Sequence, residues 1–333
     1  MPVRQDSLTQ IDGGTYAFMH LPGGWGQTNT GLLVGDDASM VIDTVWDTSR
    51  AESIAQAWPD LIGSAAITEA VNTHSDGDHW WGNDTLPASA RITTSASALH
   101  AMKEDTPPAA VARFSKLGSM ASALPGPAGA LGSYMSRVTG GALLPTTRVP
   151  RLPDHTFTGT DTITVGGRTV LLRDLGPAHT PGDVIAHLPD SGVVFTGDLL
   201  FIGATPVIWH GPLSNWQDAL DHLLGLDAAT YVPGHGPICG RTEIELLRDY
   251  WLWLDREGRA QFDAGRSPIQ AARTLLTSSD FRPYAHWDSP ERIVLNLSTL
   301  YRLWKGEAPA PPTFGRRARA FSDAGKLLRE RSR

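Results

Sequence analysis

The sequence predicts an α/β protein in which short strands alternate with helices. The 333-residue chain is 41% hydrophobic and 19% charged, a composition that provides a large core and excludes global disorder. Short apolar runs that end in glycine-containing polar loops indicate buried strands. Apolar residues at helical spacing, such as Trp216, Leu220 and Leu223, indicate amphipathic helices.

Composition also excludes several functional classes. The single cysteine, Cys239, rules out a disulfide framework and a cysteine-based zinc finger. The net charge of −7 argues against a nucleic-acid binder. No apolar run reaches the roughly 18 residues of a transmembrane helix, and the N-terminus lacks the apolar segment of a signal peptide. We therefore expect a soluble, cytoplasmic protein that binds neither nucleic acid nor membrane.

Apolar runs of four or five residues predict the strands, and glycine-containing turns between them predict hairpins. Such turns lie at 35–37 and at Gly166-Gly167. A helix is expected over about 50–58, between the first hairpin and the next strand. The predicted strands are 31–34, 40–43, 70–73, 91–94, 162–165, 169–172, 184–188, 193–196 and 231–233.

Three serines mark predicted helix starts. Ser214 and Gln217 have the spacing of a capping box, and Ser267 and Ser289 each precede a proline. Beyond residue 241 the apolar spacing is helical. The chain is thus divided into a main domain over 1–240, a helical extension over 241–312 and a basic tail over 313–333. The tail is interpreted as a solvated or frayed helix, with contact to an acidic partner as the alternative.

Residues 106–149 differ from the rest of the main domain because prolines interrupt a stretch rich in Ala, Gly and Ser. The stretch is long for a simple connection inside a compact domain. It is either a disordered insertion or a mobile, partly helical cap near a site. We favour the cap because of its large apolar side chains, which are Phe114, Leu117, Met120, Leu124, Leu131, Tyr134 and Met135.

Four short motifs combine histidine or aspartate with glycine, and each lies at the end of a predicted strand. The first spans 73–79, and the others surround His179, Asp198 and His235. Loops at strand ends can converge at one rim of a sheet, so we expect these side chains to lie together. The candidate metal ligands are His74, Asp76, Asp78, His79, His179, Asp198 and His235.

This set of side chains favours a metal site. Neutral imidazole and carboxylate are the ligands that zinc accepts when thiolate is absent. Glycines beside the motifs permit tight turns and close approach of the backbone. A single histidine in such a loop is more often structural, but four motifs in this order argue against that interpretation. We expect one or two zinc-class ions per chain.

The arrangement resembles the metallo-β-lactamase superfamily, whose first motif is His-x-His-x-Asp-His. The likeness covers residues 10–240 and implies a four-layer αββα sandwich, in which 1–240 is the catalytic domain and 106–149 a cap-like insertion. The superfamily holds two metals between its two sheets. By position, the resemblance implies one metal held by His74, Asp76 and His179, a second held by Asp78, His79 and His235, and Asp198 as the bridge.

Asp76 departs from the superfamily's pattern, which usually has histidine there. Either Asp76 is a ligand in place of histidine, which we favour, or the first metal is weak or absent. Ionised Asp76, Asp78 and Asp198 would offset three of the four positive charges of a dizinc centre and raise the pKa of bound water. So many carboxylates also make iron or manganese more plausible than usual.

The resemblance implies metal-assisted attack on a carbonyl. A metal-bound hydroxide would add to a thioester, lactone or ester, and Asp78 would orient the nucleophile or carry a proton to the leaving group. Residues 22–31, 176–180, 195–198 and 234–237 are similar to those of aromatic-polyketide cyclase/thioesterases, which act on a carrier-bound polyketide. The expected substrate is therefore a small-molecule or carrier-bound acyl compound.

Several residues beside the motifs are candidates for binding this substrate. Trp25 and Trp46 lie in loops that often edge the groove in this fold, and an aromatic wall suits an acyl substrate. Trp81 follows the first motif, and His210 lies in a Pro/Gly loop after the third. Packing is the alternative role for the tryptophans, and a surface or hydrogen-bonded position is the alternative for His210.

The leading hypothesis is a metal-dependent hydrolase. Its nearest rival is a polyketide-type cyclase or lyase that uses the same metals. A third hypothesis is a non-catalytic binding module with a degenerate centre. β-Lactam hydrolysis is less expected, because resistance enzymes are normally exported and no signal is seen. A homodimer is compatible with the sequence.

Overall fold

The computed structural model describes residues 5–138 and 149–331. Two β-sheets pack face to face, and helices cover their outer surfaces. The strands are β1 (Gln5–Gln10), β2 (Thr15–Leu21), β3 (Thr30–Val34), β4 (Ala38–Ile42), β5 (Ala66–Val71), β6 (Arg91–Ser95), β7 (His155–Phe157), β8 (Thr160–Val165), β9 (Arg168–Asp174), β10 (Val184–Leu188), β11 (Val193–Phe201) and β12 (Thr230–His235). The α-helices are α1 (Thr48–Ile62), α2 (Ala96–Glu104), α3 (Pro108–Ala121), α4 (Gly126–Val138), α5 (Leu213–Gly225), α6 (Arg241–Asp263), α7 (Pro268–Leu276), α8 (Ile293–Trp304) and α9 (Phe314–Arg331).

The first sheet follows chain order from β1 to β7. Strands β1 to β4 are antiparallel neighbours, whereas β4 to β7 run parallel and are connected through helices or long loops. The second sheet has the order β12-β11-β10-β9-β8 and is antiparallel except for the β11–β12 pair. The hairpins predicted around 35–37 and Gly166-Gly167 are confirmed as β3–β4 and β8–β9.

Alternation along the strands divides the core into layers. In β3, Leu33 belongs to the cluster between the two sheets. Leu32 points to the other face of the sheet, where it packs in one cluster with buried residues of α1. Val41 of β4 likewise faces α1, and Met40 and Ile42 on either side of it face the second sheet. Period-two alternation with both faces buried is expected for a sheet between helices and another sheet. The predicted αββα sandwich is therefore confirmed.

The outer face of the second sheet is covered by an aromatic-rich helical layer. Trp216 of α5 and Trp251 of α6 are fully buried, with ring centroids 4.7 Å apart. The indole N–H of Trp216 donates to the carbonyl of Leu199 in β11, at 3.0 Å. This contact ties the helical layer to the strand that carries Asp198.

The cap-like insertion contains two helices, α3 and α4, within the part of it that the structure describes. A disordered insertion is therefore the wrong interpretation for residues 108–138. Residues 139–148, which the expected cap also included, lie outside the described residues. Tyr134 on α4 is fully buried, whereas Met120 on α3 is exposed, so only part of the apolar surface is used within this chain.

The basic tail differs from the solvated helix that the sequence predicts. Helix α9 packs along α4, where Gly325 lets the two backbones approach closely beside Ala130. Arg329 donates to the Ser122 carbonyl at 2.6 Å and to the Ser133 hydroxyl at 3.0 Å. The sequence analysis did not predict this packing, because the buried residues of α9 are mostly small and the charged residues of the helix are mostly basic. The proposed boundaries between the three parts of the chain stay a prediction.

The three predicted helix starts have different outcomes. Ser267 is the N-cap of α7 and is followed by Pro268, as predicted, and the Gln270 side chain accepts from the backbone N–H of Ser267 at 2.9 Å. Ser214 is not a cap, because α5 begins one residue earlier, after Pro212. Ser289 adopts a left-handed conformation and precedes a short 3-10 turn, Pro290–Arg292, which leads into α8. Among residues 5–138 and 149–331, no helix combines the length and the apolar character needed to span a bilayer.

Asn29, just before β3, links the first sheet to the end of β12. Its side-chain oxygen accepts from the backbone N–H of His20, at 3.0 Å. Its amide nitrogen donates to the carbonyls of Pro233 at 2.9 Å and Gly236 at 2.8 Å. Asn29 thereby fixes the backbone on both sides of His235 against the first sheet.

We predict that Asn29→Ala lowers the free energy of unfolding by about 3 kcal/mol, because it leaves buried polar groups without partners. Urea unfolding followed by tryptophan fluorescence would measure the change. Exposed Asp37→Ala is the control and should change the value by less than about 0.5 kcal/mol. Equal stability of the two variants would contradict the role given to Asn29.

Candidate metal centre

The first motif lies in the loop after β5 and turns back through a 3-10 turn, Gly77–His79. The backbone N–H of Thr73 donates to Asp43 at 2.7 Å, which fixes the start of the loop. The side chain of Asn72 donates to the carbonyl of His79 at 3.0 Å, which fixes its end. The loop is held at both ends, so it presents several polar side chains in a defined orientation.

The other three motifs reach the same place from the second sheet. His179 lies in the loop between β9 and β10, Asp198 lies within β11, and His235 is the last residue of β12. The structure brings all seven predicted ligands together in three overlapping groups. These groups are His74–Asp76–His179, His74–His79–Asp198 and Asp78–His79–His235, each with its ligand atoms within 4.8 Å of one another.

Asp198 lies at the centre of this cluster, and only 3% of its side chain is exposed. Its Oδ2 lies 3.3 Å from Nε2 of His179, 3.4 Å from that of His235 and 3.8 Å from that of His74. Its Oδ1 lies 3.1 Å from Nε2 of His79. One carboxylate therefore faces four imidazoles.

Asp76 and Asp78 lie on opposite sides of Asp198, and both are less buried than it is. Asp76 Oδ2 is 3.1 Å from Nε2 of His179, and Asp78 Oδ2 is 3.5 Å from Nε2 of His235. Their side chains are 31% and 13% exposed, so each also faces the opening. Asp76 therefore occupies a position from which it can ligate together with His74 and His179.

The bonding of these residues fits a metal centre. His74 Nε2, His79 Nε2 and Asp198 Oδ1 are buried, and within the described part of the chain none makes a hydrogen bond of good geometry, although His79 Nε2 and Asp198 Oδ1 are 3.1 Å apart. Buried polar atoms in folded proteins nearly always have partners. Three such atoms that face one another, all of types that bind divalent cations, are satisfied together by a metal ion. The residues present thus fit the group that the motifs imply.

Contacts within hydrogen-bond distance at the outer ring nitrogens orient three of the four histidines, His74, His79 and His179. His79 Nδ1 lies 2.8 Å from Asp43 Oδ2, and His179 Nδ1 lies 2.6 Å from the carbonyl of Val207. A donated N–H at Nδ1 leaves Nε2 free to face the centre. His74 Nδ1 lies 3.0 Å from the hydroxyl of Thr73.

Asp43 is a residue that the motif analysis missed. Its carboxylate accepts from the N–H and the hydroxyl of Thr73, at 2.7 and 2.8 Å, as well as pairing with His79. Its φ of 58° is unusual for a residue other than glycine. Such strain persists only where the surroundings compensate for it, which is frequent at functional sites. An aspartate directly after the apolar run of β4 was the only sequence signal.

Two further contacts hold the acidic ligands. The hydroxyl of Thr28 donates to Asp78 Oδ2 at 3.0 Å, and the indole N–H of Trp209 donates to Asp76 Oδ2 at 3.0 Å. Both donors come from segments far away in the sequence, so the spacing of the first motif could not reveal them.

The charges in the cluster shift the pKa of each member. Burial and the neighbouring His79 lower the pKa of His74 to about 3, so its ring is neutral. Burial acts to raise the pKa of Asp198, but His235, His79 and His74 hold it well below its usual value. Burial acts in the same direction on the pKa of Asp76, which His179 nevertheless lowers. The carboxylates are thus ionised at neutral pH and can act as ligands.

The cluster opens into a small cleft with aromatic walls. Trp25 is the one predicted substrate-binding residue that lines it. Trp46 and Trp81 instead stack on each other, with centroids 6.1 Å apart, and neither is among the described residues that line the cleft. His210 lies close to Gly211, with Nδ1 2.7 Å from its carbonyl, and is also outside the lining.

Trp46 and Trp81 do not line the cleft because their rings pack against the backbone of two loops, at Gly26 and Gly77. The Trp46 ring fills the space that a side chain at Gly26 would need, and Trp81 does the same at Gly77. The sequence placed both rings next to motif residues but could not show on which side of the backbone they lie. The packing alternative describes them better.

Comparison with known proteins identifies the family. The family model described as "Metallo-beta-lactamase superfamily" matches residues 23–235, which is more than half of the chain and includes all four motifs. The chain belongs to the metallo-β-lactamase superfamily.

The curated relatives that this chain matches are distant. The alpha subunit of 2,4-dinitroanisole O-demethylase from Nocardioides sp. is 24% identical over 73% of this chain and 62% of its own length. A hydroxyacylglutathione hydrolase from Fuscovulum blasticum is 29% identical over 36% of this chain and 47% of its own length. The chain therefore spans about half to two thirds of these relatives.

Solved structures share the superfamily fold. A stereoselective inverting sec-alkylsulfatase from Pseudomonas sp. superposes with a TM-score of 0.68 at 18% identity, over 90% of this chain and 50% of that chain. A metallo-β-lactamase from Pontibacter korlensis gives a TM-score of 0.53 at 18% identity, over 74% of this chain and 99% of that chain. The narrower likeness to polyketide cyclase/thioesterases is not tested by these matches and stays a prediction.

We predict that Asp43→Asn weakens metal binding about 10- to 100-fold, because a partner that orients a histidine ligand loses its charge. Asparagine tolerates the left-handed backbone, so the variant separates charge from strain. Competition with a chromogenic chelator would measure the affinity, with exposed Asp36→Asn as the control. Unchanged affinity in Asp43→Asn would show that Asp43 serves the fold alone.

Proposed function

We propose that this protein is a metal-dependent hydrolase that cleaves a thioester, lactone or other ester. The observation that carries the proposal is the set of three overlapping His/Asp groups at the base of a cleft, with buried ligand atoms that make no hydrogen bond of good geometry among the described residues. Membership of the metallo-β-lactamase superfamily supports it.

The ligands divide into two sets that share Asp198. His74, Asp76 and His179 would hold one metal ion, and Asp198 would bridge to a second. The second ion would be held by Asp78, His79 and His235. Four imidazoles and three carboxylates without thiolate suit zinc, and the carboxylate share leaves iron or manganese as outcomes of metal analysis.

Bound divalent ions supply Lewis acidity, which lowers the pKa of water and stabilises negative charge on oxygen. The protein's own contribution is orientation and proton transfer. Thr28 holds one oxygen of Asp78, and the side chain remains open to the cleft. Although burial opposes it, contacts with His235 and His79 keep the pKa of Asp78 below its usual value, so the group is an acceptor at neutral pH. Asp78 would orient the attacking water and pass its proton to the leaving group.

The surroundings of the cleft favour a substrate with a large apolar part. A groove of about 780 Å³ lies between α4, α8 and α9 and shares Trp209 with the metal cleft. Leu131, Leu295 and Tyr301 contribute apolar surface to it. Volumes of this order accommodate small-molecule ligands. An acyl chain placed in the groove would lie against Trp209, whose indole N–H contacts Asp76 of the metal centre.

A thioester is the substrate class that the relatives favour. Two of them are named hydroxyacylglutathione hydrolase, and an acylglutathione is a thioester. Ring closure of a polyketide without hydrolysis is the competing reaction on the same centre, as the motif likeness implied.

We predict one to two zinc-class ions per chain by elemental analysis of the purified protein. His179→Ala and His235→Ala should remove metal and activity together and leave the circular dichroism spectrum unchanged, because each removes a ligand at the centre. His222→Ala on α5 is the matched control and should keep both. A folded wild-type protein without metal and without turnover would instead support the non-catalytic binding module.

We predict that Asp76→His alters metal occupancy, because an imidazole reaches further than a carboxylate and carries no charge. Elemental analysis and the rate on a fixed ester would be compared with the wild type. If occupancy and rate both stay the same, Asp76 is not a ligand.

A panel of acyl-thioesters, lactones and β-lactams would identify the substrate class, and we expect turnover of thioesters or esters before β-lactams. Product analysis in ¹⁸O-labelled water separates the two reactions. Hydrolysis places one solvent oxygen in the acid product. A cyclised product without the label would contradict the hydrolase and favour the cyclase.

A further inference from the structure

One charged side chain lines the metal cleft without belonging to the ligand set. Arg292 ends the 3-10 turn before α8, and only 1% of its surface is exposed. It lines the cleft together with Asp76, Asp78 and His235. No motif surrounds it in the sequence, so its position is known only from the fold.

The guanidinium of Arg292 is incompletely bonded. Its Nη1 donates to the carbonyl of Thr205 at 3.0 Å, and its central carbon lies 4.4 Å from the ring centroid of Trp25. Its Nε is buried and has no hydrogen-bond partner among the described residues. The nearby carboxylates of Asp288 and Glu291 form their ion pairs with Arg137, at 2.9 and 3.3 Å. Burial raises the pKa of Glu291, but Arg292 is close enough for its charge to act in the opposite direction, so the buried cation is compensated only in part and is stabilised by a ligand that supplies further negative charge.

Two further polar groups are buried near Arg292. The indole N–H of Trp25 and the hydroxyl of Tyr134 lie on rings whose centroids are 6.3 Å apart, and among the described residues neither group makes a well-formed hydrogen bond. Burial, reinforced by Glu291, raises the pKa of Tyr134, although the neighbouring indole N–H acts to lower it, so the hydroxyl stays protonated at neutral pH. Arg292 and these two incompletely bonded groups therefore surround the Trp25 wall of the cleft.

The acids of the cleft do not serve as partners for these donors. Asp76, Asp78 and Asp198 lie 3.1 to 3.8 Å from imidazole nitrogens. In the proposed function they are metal ligands, and their charge is then offset by the metal. Arg292 remains as a cation beside a cationic centre, an environment that attracts an anion.

We infer that Arg292 binds an oxyanion group of the substrate, so that the substrate is an anionic ester whose charged group lies beside the cleaved bond. That this oxyanion belongs to a substrate rests on the proposed function, whereas the binding of an oxyanion by Arg292 does not. The planar fork of a guanidinium matches carboxylate, sulfonate and sulfate oxygens, which two parallel hydrogen bonds can engage. Trp25, which also lines the cleft, would donate to the same group.

Calorimetric titration of the metal-loaded protein with benzenesulfonate and with methyl phenyl sulfone tests the inference. The two probes share the ring and a tetrahedral sulfur, but only the first is charged. We expect benzenesulfonate to bind at least about tenfold more tightly, as for charge-assisted hydrogen bonds. Equal affinities in the wild type would overturn the inference without any variant.

Variants assign the preference to Arg292. Arg292→Met should bind the two probes within about twofold of each other, and Arg292→Lys should keep part of the preference because it keeps the charge. Arg168→Met on β9, outside the cleft, removes the same charge and should leave the preference intact. A preference that survives in Arg292→Met, or that Arg168→Met also abolishes, would overturn the inference. If Arg292→Met does not fold, a reduced preference in Arg292→Lys would still support the inference, and an unchanged preference would overturn it.

Metal analysis and turnover separate this inference from the proposed function. Arg292→Met should retain the metal content of the wild type. A changed content would show that Arg292 balances the carboxylates instead and would overturn the inference. Binding of benzenesulfonate needs no turnover, so a protein that binds it through Arg292 but hydrolyses no ester would refute the proposed function alone. Hydrolysis of neutral and anionic esters at equal kcat/KM would refute the inference alone.

Discussion

The structure depends on one buried carboxylate that faces four imidazoles. Asp198 is almost fully enclosed and lies within 4 Å of a ring nitrogen from each of His74, His79, His179 and His235. An uncompensated group of this kind is strongly unfavourable in a protein interior. The surrounding strands are shaped around it: the pairing of β11 with β12 shifts register on both sides of Gly197, and a side chain at Gly234 would collide with the carboxylate.

A second layer of contacts makes this arrangement rigid. Asp43 joins the start of the first motif to its end, through Thr73 and His79, in a backbone conformation that is itself unfavourable. Asn29 and Thr28 connect the N-terminal sheet to the segments that carry His235 and Asp78. Ligand positions are thus fixed by hydrogen bonds between the two sheets, which keeps the histidines oriented before any metal binds.

The sequence predicted the strands and the ligands for related reasons. Alternating or continuous apolar runs predicted nine of the twelve strands of the described residues, but not β1, β2 or β7. Histidine and aspartate at strand ends indicated the rim of the sheets. Asp43, Trp209 and Arg292 could not be predicted, since their roles arise from contacts with residues far away in the chain. Trp46 and Trp81 were misplaced because adjacency to a motif does not determine which way a ring points. The buried face of α9 was missed because alanine and glycine carry little hydrophobic signal.

The metal ligands and most of the cleft lining come from one segment of the chain, whereas Arg292 comes from another. All seven candidate ligands fall within the segment that matches the superfamily, residues 23–235. Arg292 lies beyond it, as does Phe321 of α9, whose ring is 6.1 Å from Trp25 and 6.2 Å from Trp209. The shared segment can therefore conserve the chemistry while the C-terminal helices set which substrate reaches it. A relative that aligns only over the shared segment carries information about the metal centre and little about the group that Arg292 would recognise.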